Sequence, residues 1–137
     1  MRKKIVAGNW KMNLTRNEAV SLTKEILDSL DDNIIPNIIL SPPFVYLHEI
    51  QQMSKNITKI KIASQDISIL EEGSFTGEVS SLMISSLSID YTILGHSERR
   101  ELLNEDNHHI RKKVDLAIKN NLKVIFCCGE TETHRNR

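Results

Sequence analysis

The sequence is poor in several kinds of residue, and each shortage excludes a class of protein. Five glycines and three prolines in 137 residues are too few for a collagenous chain or a low-complexity linker. Lysine and arginine number 18, as do aspartate and glutamate, so no net charge attracts nucleic acid or an anionic membrane. No apolar run approaches the roughly 18–20 residues of a membrane helix, and the apolar stretch after the basic start is too short for a signal peptide. We expect a cytoplasmic protein with no nucleic-acid or membrane partner.

Cysteine is also scarce, and its placement argues against disulfide and metal chemistry. The two cysteines are neighbours, Cys127 and Cys128, and adjacent cysteines form a bridge only through a strained peptide unit. Free thiols in a reducing compartment, used for packing, are the simpler interpretation. No CxxC pair is present, and His108 and His109 stand side by side in a predicted helix. The spacing predicts no metal site, and the lack of P-loop and GxGxxG motifs disfavours nucleotide binding.

Short apolar runs alternate with helical patterns along the chain. The runs are rich in Ile and Val and mostly too continuous for a sheet with one solvated face. They predict buried parallel strands at residues 5–7, 38–40, 60–63, 91–94 and 122–126. Capping-box spacing at residues 15–18 opens a first helix, and further helices are predicted over residues 44–53, 79–87 and 104–121. The order βαβαβαβαβ predicts an α/β fold with a parallel sheet.

Polar segments follow four of the predicted strands, where parallel α/β folds bind their ligands. His96 comes directly after Gly95, where a helical turn can begin, and free backbone N–H groups there disfavour a protonated imidazole. A neutral histidine can donate a hydrogen bond to a substrate oxygen. Taken singly, His96 also reads as a satisfied loop histidine and Lys11 as a solvated surface amine. Because both residues lie at strand ends of one predicted sheet, a functional interpretation is supported as well as a structural one.

The pattern alone leaves two architectures open. A doubly wound sheet is complete with five strands, whereas a (β/α)8 barrel needs eight strands and typically about 250 residues. The strand ends decide between them. Four segments carry the decision: VAGNWKMN at residues 6–13, SFTGEVS at 74–80, ILGHSERR at 93–100 and CGE at 128–130.

With these motifs, in this order and at this spacing, the chain resembles the amino-terminal half of triosephosphate isomerase. The resemblance runs from the first residues to the last few. It implies a partial (β/α)8 TIM barrel, roughly the first four βα units plus strand five. It also implies one domain over residues 1–137, truncated before the second half. An unrelated five-strand doubly wound ligand binder is left with little support, because it leaves all four motifs unexplained.

The resemblance implies interconversion of dihydroxyacetone phosphate and D-glyceraldehyde 3-phosphate, in glycolysis and gluconeogenesis, without metal or cofactor. The reaction passes through an enediolate and needs a base, an electrophile and positive charge. By match to the family's motifs, His96 would be the neutral electrophile; triosephosphate isomerase is itself the standard example of such tuning. Lys11 would supply positive charge and bind the phosphorylated triose, and Asn9 would help orient it. Glu98 would hold Lys11 in place, with a less settled part in proton handling.

The resemblance also implies a homodimer. Thr76 would reach towards the partner's active site. The residues that match the family's dimer contact are Gln65, Phe75, Thr76, Gly77 and Glu78.

Several parts of the family's site lie beyond Arg137. They are the general-base glutamate after strand six, the mobile lid that follows it, and the phosphate-binding N–H groups after strands seven and eight. Glu130 cannot replace the base, since it matches the strand-five motif, and residues 131–137 depart from the family's helical continuation. We therefore predict that the isolated chain is inactive. The alternative is a non-catalytic half-barrel interaction module or the product of a decayed gene.

Overall fold

A computed structural model describes residues 4–31, 37–130 and 135. Its strands are β1 (Ile5–Asn9), β2 (Asn37–Ser41), β3 (Ile60–Ser64), β4 (Tyr91–Leu94) and β5 (Lys123–Phe126). Its helices are α1 (Arg16–Asp28), α2 (Phe44–Ser54), α3 (Ser81–Ser86), α4 (Ser97–Leu102) and α5 (Asn107–Lys119). The basic start of the chain and most of its last seven residues, at 1–3, 131–134 and 136–137, lie outside the described residues. Within the described ranges, no helix is long and apolar enough to cross a membrane.

The five strands form one parallel sheet whose spatial order equals the chain order. Each strand pairs with the next, in the order β1-β2-β3-β4-β5. A doubly wound sheet reverses its strand order at a switch point, whereas a (β/α)8 barrel adds its strands in sequence. The sheet curls as half a barrel, so the prediction of a partial TIM barrel is confirmed.

The hydrophobic core lies between the sheet and the helices packed on its outer face. Ile60 and Ile62 of β3 point into this layer, and Leu47 and Ile50 of α2 meet them. Because side chains alternate along a strand, Lys61 points to the other face and lies 3.6 Å from Asp90. The core members are Ala19, Leu40, Leu47, Ile50, Ile60, Ile62, Ile67, Ile84, Ile89, Leu94, Ala117 and Leu122.

The first helix begins with the contacts that its sequence predicts. The backbone N–H and the hydroxyl of Thr15 both donate to the Glu18 carboxylate, at 2.7 Å each. These bonds hold the pKa of Glu18 below its usual value. They satisfy one of the free donors at the helix start and fix the point where α1 leaves the loop after β1.

Two predicted helices begin at different residues. The helix predicted over residues 79–87 is shorter, Ser81–Ser86, because Ser80 acts as its N-cap and accepts a bond from the Met83 N–H at 3.3 Å. The helix predicted over 104–121 begins only at Asn107. Asn104 has a left-handed φ of +53°, which no helix continues through, and Asp106 caps the new start. The separate helix α4 was not predicted beyond a helical turn at His96.

The prediction of buried strands is right for β2, β3 and β4 and wrong for β1 and β5. Ile5 is 50% exposed and Val6 58%. Among the described residues, β1 pairs only with β2 and β5 only with β4, so each has one open edge. Phe126 on β5 is 51% exposed for the same reason. An apolar strand at a sheet edge remains apolar in sequence but loses the neighbours that would bury it.

Candidate active site

The carboxyl ends of β1, β3 and β4 open into one cavity of about 350 Å³. Two of the four motifs quoted from the sequence, residues 6–13 and 93–100, therefore meet in space, as expected for strand ends of one parallel sheet. The cavity is lined by Asn9, Lys11, Met12, Phe44, Gln65, Asp66, His96, Glu98, Arg99, Leu102 and Leu103.

The turn after β1 holds Lys11 in an unusual backbone conformation. The Asn9 side-chain oxygen accepts the Lys11 N–H at 2.9 Å, and Lys11 has a φ of +53°. A left-handed non-glycine residue costs roughly 1–2 kcal/mol. Such a conformation persists only where its surroundings fix it, which is typical of functional positions. The Asn9 carboxamide is one of the groups that fix it here.

Lys11 and Glu98 form an ion pair across the mouth of the cavity. The Lys11 Nζ lies 2.6 Å from the Glu98 Oε1, and both side chains are about half exposed. The hydrogen bond from Lys11 is the main reason that the pKa of Glu98 lies below its usual value, with smaller contributions from the charges of Lys11 and His96. At neutral pH the carboxylate is therefore ionised and orients the ammonium group.

His96 is the N-cap of α4, and its ring is fixed by that helix. The Nδ1 atom accepts the backbone N–H of Glu98 at 3.3 Å. It also lies 3.5 Å from the Glu98 carboxylate, a contact that is an ion pair only if the ring is protonated. Because a backbone N–H can only donate, we assign Nδ1 as the acceptor. In the neutral ring the proton is then on Nε2, which leaves that atom as a donor.

Gly95 makes the sharp turn that delivers His96. Its φ is +75°, and a Cβ at this position would lie 2.8 Å from the Arg100 Nη2 and 3.2 Å from the Cys127 carbonyl oxygen. Arg100 donates from Nε to the Gly95 carbonyl at 2.8 Å and from Nη2 to the Cys127 carbonyl at 3.3 Å. The start of α4 is thus bound to the end of β5.

Comparison with known proteins decides the family. A family model described as triosephosphate isomerase matches residues 4–137. The chain belongs to the triosephosphate isomerase family. Curated triosephosphate isomerases are similar: that of Cytophaga hutchinsonii is 39% identical over 137 residues, covering 98% of this chain and 54% of the relative. That of Clostridium botulinum is 43% identical over 135 residues, with the same two shares, 98% and 54%. That of Clostridium tetani is 42% identical over 131 residues, covering 96% and 51%. The chain spans about half the length of these relatives.

Gln65 lines the cavity, and its place in the dimer contact stays a prediction. Its Nε2 donates to the Lys11 carbonyl at 2.9 Å and to the Ser41 carbonyl at 2.8 Å. One carboxamide therefore joins the ends of β1, β2 and β3. The bond to Lys11 supports the strained turn from the side opposite to Asn9.

The other predicted contact residues of the triosephosphate isomerase dimer lie apart from this cavity. Phe75, Thr76, Gly77 and Glu78 form an exposed loop between β3 and α3, and none of them lines the cavity. The loop is held by its own backbone, since the Glu78 N–H donates to the Phe75 carbonyl at 3.0 Å. Phe75 is 45% exposed. The side of the ring that faces solvent is available to a second chain.

Both cysteines are free thiols. Cys127 is partly buried, and that burial is the main reason its pKa is raised, with a further contribution from Cys128. The Cys127 thiol therefore stays protonated at neutral pH, which disfavours reactivity. The part of the chain that the structure describes holds no group of three or more His, Cys, Asp or Glu residues suited to a metal ion.

Sequence reasoning missed a cluster of four charged residues in and behind the wall of the cavity: Asp66, Arg99, Glu105 and Lys113. Asp66 and Arg99 line the cavity. Of the four, the motifs quoted above include only Arg99, within residues 93–100. One signal was available. Lys113 falls three residues after Ile110 and four before Ala117, which puts a lysine on the apolar face of α5. A charge on such a face requires a buried partner.

Proposed function

We propose that the polypeptide containing these residues interconverts dihydroxyacetone phosphate and D-glyceraldehyde 3-phosphate, in glycolysis and gluconeogenesis. The chain supplies the electrophilic side of that active site. The observation that carries the proposal is the convergence of Lys11, His96 and Glu98 on one cavity, with a bonded Nδ1 that leaves the His96 Nε2 as a donor. Family membership adds the reaction to the geometry.

The reaction moves a proton between adjacent carbons through an enediolate, so negative charge develops on the substrate oxygens. The Nε2–H of a neutral His96 donates to the oxygen that gains this charge, and fixed donors of this kind give large rate effects. The Lys11 ammonium stabilises both the enediolate and the phosphate group. Asn9 orients the substrate through its carboxamide. Glu98 keeps the Lys11 amine directed at the cavity.

The chain supplies no free general base at this cavity. Among the described residues that line it, the carboxylates are Asp66 and Glu98, and each is paired with a cation. Glu130 lies after β5, is exposed and contacts Arg135 at 3.1 Å. We therefore propose that the base, the lid and the phosphate-binding N–H groups come from outside this chain, and that the isolated chain does not turn over substrate. Loss of a base commonly costs 10²–10⁴-fold.

The assembly that we propose is a cytoplasmic homodimer. Gln65 and the exposed loop at residues 75–78 form the contact, with Thr76 reaching the partner's active site. The support is the exposure of Phe75 and the backbone hydrogen bonds that hold the loop. Residues 1–137 form one partial-barrel domain in this proposal.

The first test is the intact mass and isomerase activity of the protein as its own cell makes it. A mass about twice the 15.7 kDa of this chain, with isomerase activity, supports the proposal. In that protein His96→Gln lowers kcat about 10²–10³-fold, while His108→Gln, an exposed histidine on α5, leaves it unchanged. Equal kcat for the two variants refutes the role of His96.

A mass of 15.7 kDa would favour the second candidate, a non-catalytic half-barrel module or the product of a decayed gene. The exposed apolar edge of β1 is the observation behind it, because open edges of this kind pair with other chains. In that case the purified protein shows no turnover of either triose phosphate.

A further inference from the structure

Four charged side chains form a closed network in and behind the wall of the candidate active site, where two of them, Asp66 and Arg99, line the cavity. The Lys113 Nζ lies 2.8 and 2.7 Å from the two oxygens of Asp66 and also contacts the Glu105 Oε1. Arg99 reaches the same two acids, at 2.8 Å from the Asp66 Oδ2 and 3.3 Å from the Glu105 Oε1. Lys113, Asp66 and Glu105 are 4%, 7% and 8% exposed. Each acid thus touches both cations.

Such a network is a poor device for stability alone. Removing charges from water costs several kcal/mol per ion, and apolar side chains of similar volume are often as stabilising. Burial raises the pKa of Asp66 although Lys113 and Arg99 oppose it, whereas the two cations together keep the pKa of Glu105 low despite its burial. A network of this kind instead restricts the orientation of its members, because each charged group contacts two partners.

The network joins elements that otherwise share few contacts. Asp66 lies just after β3, Arg99 lies on α4, and Lys113 lies on α5. Lys113 is therefore the point at which α5 contacts both the end of β3, through Asp66, and the loop after α4, through Glu105. Removing it leaves two carboxylates with only one cation.

Two arms of the network converge on Lys11. Asp66 follows Gln65, whose side chain holds the Lys11 carbonyl at 2.9 Å. Arg99 follows Glu98, whose carboxylate holds the Lys11 Nζ at 2.6 Å. One arm fixes the backbone of Lys11 and the other fixes its amine.

We propose that Lys113 is a positioning residue for Lys11, acting through Asp66 and Gln65 on its backbone and through Arg99 and Glu98 on its amine. The catalytic importance of this positioning rests on the proposed function, in which Lys11 faces the substrate. The positioning itself can be measured without substrate.

The test compares two carboxylates in the same chain. Glu98 is paired with Lys11, and Glu71 is paired with Lys119 on α5 at 2.6 Å. Both have a pKa below the usual value because of these hydrogen bonds. The side-chain carboxyl carbons are titrated by ¹³C NMR in the parent chain and in the double variant Asp66→Asn/Lys113→Met. This variant removes one charge of each sign.

The expected result is an upward shift of the Glu98 pKa in the double variant, with the Glu71 pKa unchanged. Lys112→Met, an exposed lysine on the same helix, is the matched control and shifts neither. A Glu98 pKa that stays at its parent value overturns the proposal. Equal shifts of Glu98 and Glu71 overturn it too, because they report general loosening of α5 rather than positioning.

A second variant covers the case in which the double variant loses its helical circular dichroism. Asp66→Asn keeps the shape and an acceptor oxygen and removes the charge that holds both Lys113 and Arg99. The same upward shift of the Glu98 pKa is therefore expected. No shift there refutes the proposal. The proposed function is tested separately. If the full-length protein is inactive but the Glu98 pKa shifts in the variants, the positioning role stands without the proposed function. If the full-length protein is active but the Glu98 pKa does not shift in the variants, the positioning role is refuted.

Discussion

Replacing Gly95 with alanine tests how the turn before His96 is built. Two costs add at this position. A left-handed alanine costs roughly 1–2 kcal/mol in backbone energy. The new Cβ would also lie 3.2 Å from the Cys127 carbonyl oxygen, a backbone atom at the end of β5, and 2.8 Å from the Arg100 Nη2. Overpacking of this kind costs typically about 1–3 kcal/mol, so we expect Gly95→Ala to lower the free energy of unfolding by roughly 2–5 kcal/mol.

Gly77 provides a matched control in the same chain. Its φ is +92°, also in the left-handed half of the map, but a Cβ there would meet nothing within 4 Å. Gly77→Ala therefore carries the backbone cost alone, about 1–2 kcal/mol. The difference between the two variants isolates the contacts with Arg100 and Cys127.

The assay is urea unfolding followed by far-ultraviolet circular dichroism for the parent and both variants. The midpoint falls furthest for Gly95→Ala, and the slope with urea stays constant. Equal midpoints for the two alanine variants would refute the reasoning, because they would show that the Gly95 Cβ position is not closed by its neighbours. A loss near 5 kcal/mol would take most of the stability of a small domain.

Three further predictions concern the core, the site and the sheet edge. Leu47 is 1% exposed, and Leu47→Ala should lower the free energy of unfolding by about 2–5 kcal/mol, measured by thermal unfolding. Ile118 is 65% exposed, and Ile118→Ala should change it by less than about 0.5 kcal/mol. Similar losses for the two variants would contradict the assigned core. The pKa of Glu98 is lower in the folded chain than in the unfolded chain, so pairing with Lys11 stabilises the fold above the unfolded pKa, and this stabilisation is lost as pH falls through the folded pKa. The urea midpoints of the parent and Glu98→Gln should therefore converge as the pH is lowered. A difference in midpoint that persists at low pH argues against the pair. Val6→Lys places a charge on the open edge of β1 and should reduce the self-association measured by sedimentation. If the parent chain sediments as a monomer at all concentrations, the open edge does not pair with other chains.

The sheet was predictable because its strands carry their own signal. Parallel strands covered on both faces need nearly continuous apolar runs, and residues 38–40, Ile-Ile-Leu, are such a run. Residues 60–63 instead alternate, with Lys61 between Ile60 and Ile62. The exposure of β1 was not predictable in the same way. Burial of a strand depends on which neighbours it has, and its own residues do not state that.

Helix α4 was missed because it has no apolar stripe to detect. Its six residues read SERREL, and none of them is buried. Its position comes from the His96 cap and from the Arg100 bonds to Gly95 and Cys127. The Arg100 bond to Cys127 forms only after the sheet has brought β4 and β5 together.

The site was predictable in its membership but not in its support. His96, Lys11 and Glu98 follow strands of one parallel sheet, so their meeting at one edge was expected from topology. The bond of Gln65 to the Lys11 carbonyl joins residues 54 positions apart, and the pair of Lys113 with Asp66 joins residues 47 apart. No local pattern encodes partners at such separations.

The agreement between sheet order and chain order has a consequence for synthesis on the ribosome. Every strand pairs with the strand made just before it, so a nascent chain can extend the sheet one βα unit at a time without waiting for a distant segment. The Lys11–Glu98 pair spans 87 residues, yet it needs only the first four strands and the start of α4. The Lys113 contacts come later, when α5 emerges. The growing protein can therefore bring Lys11, His96 and Glu98 together first, and the contacts of Lys113 form afterwards.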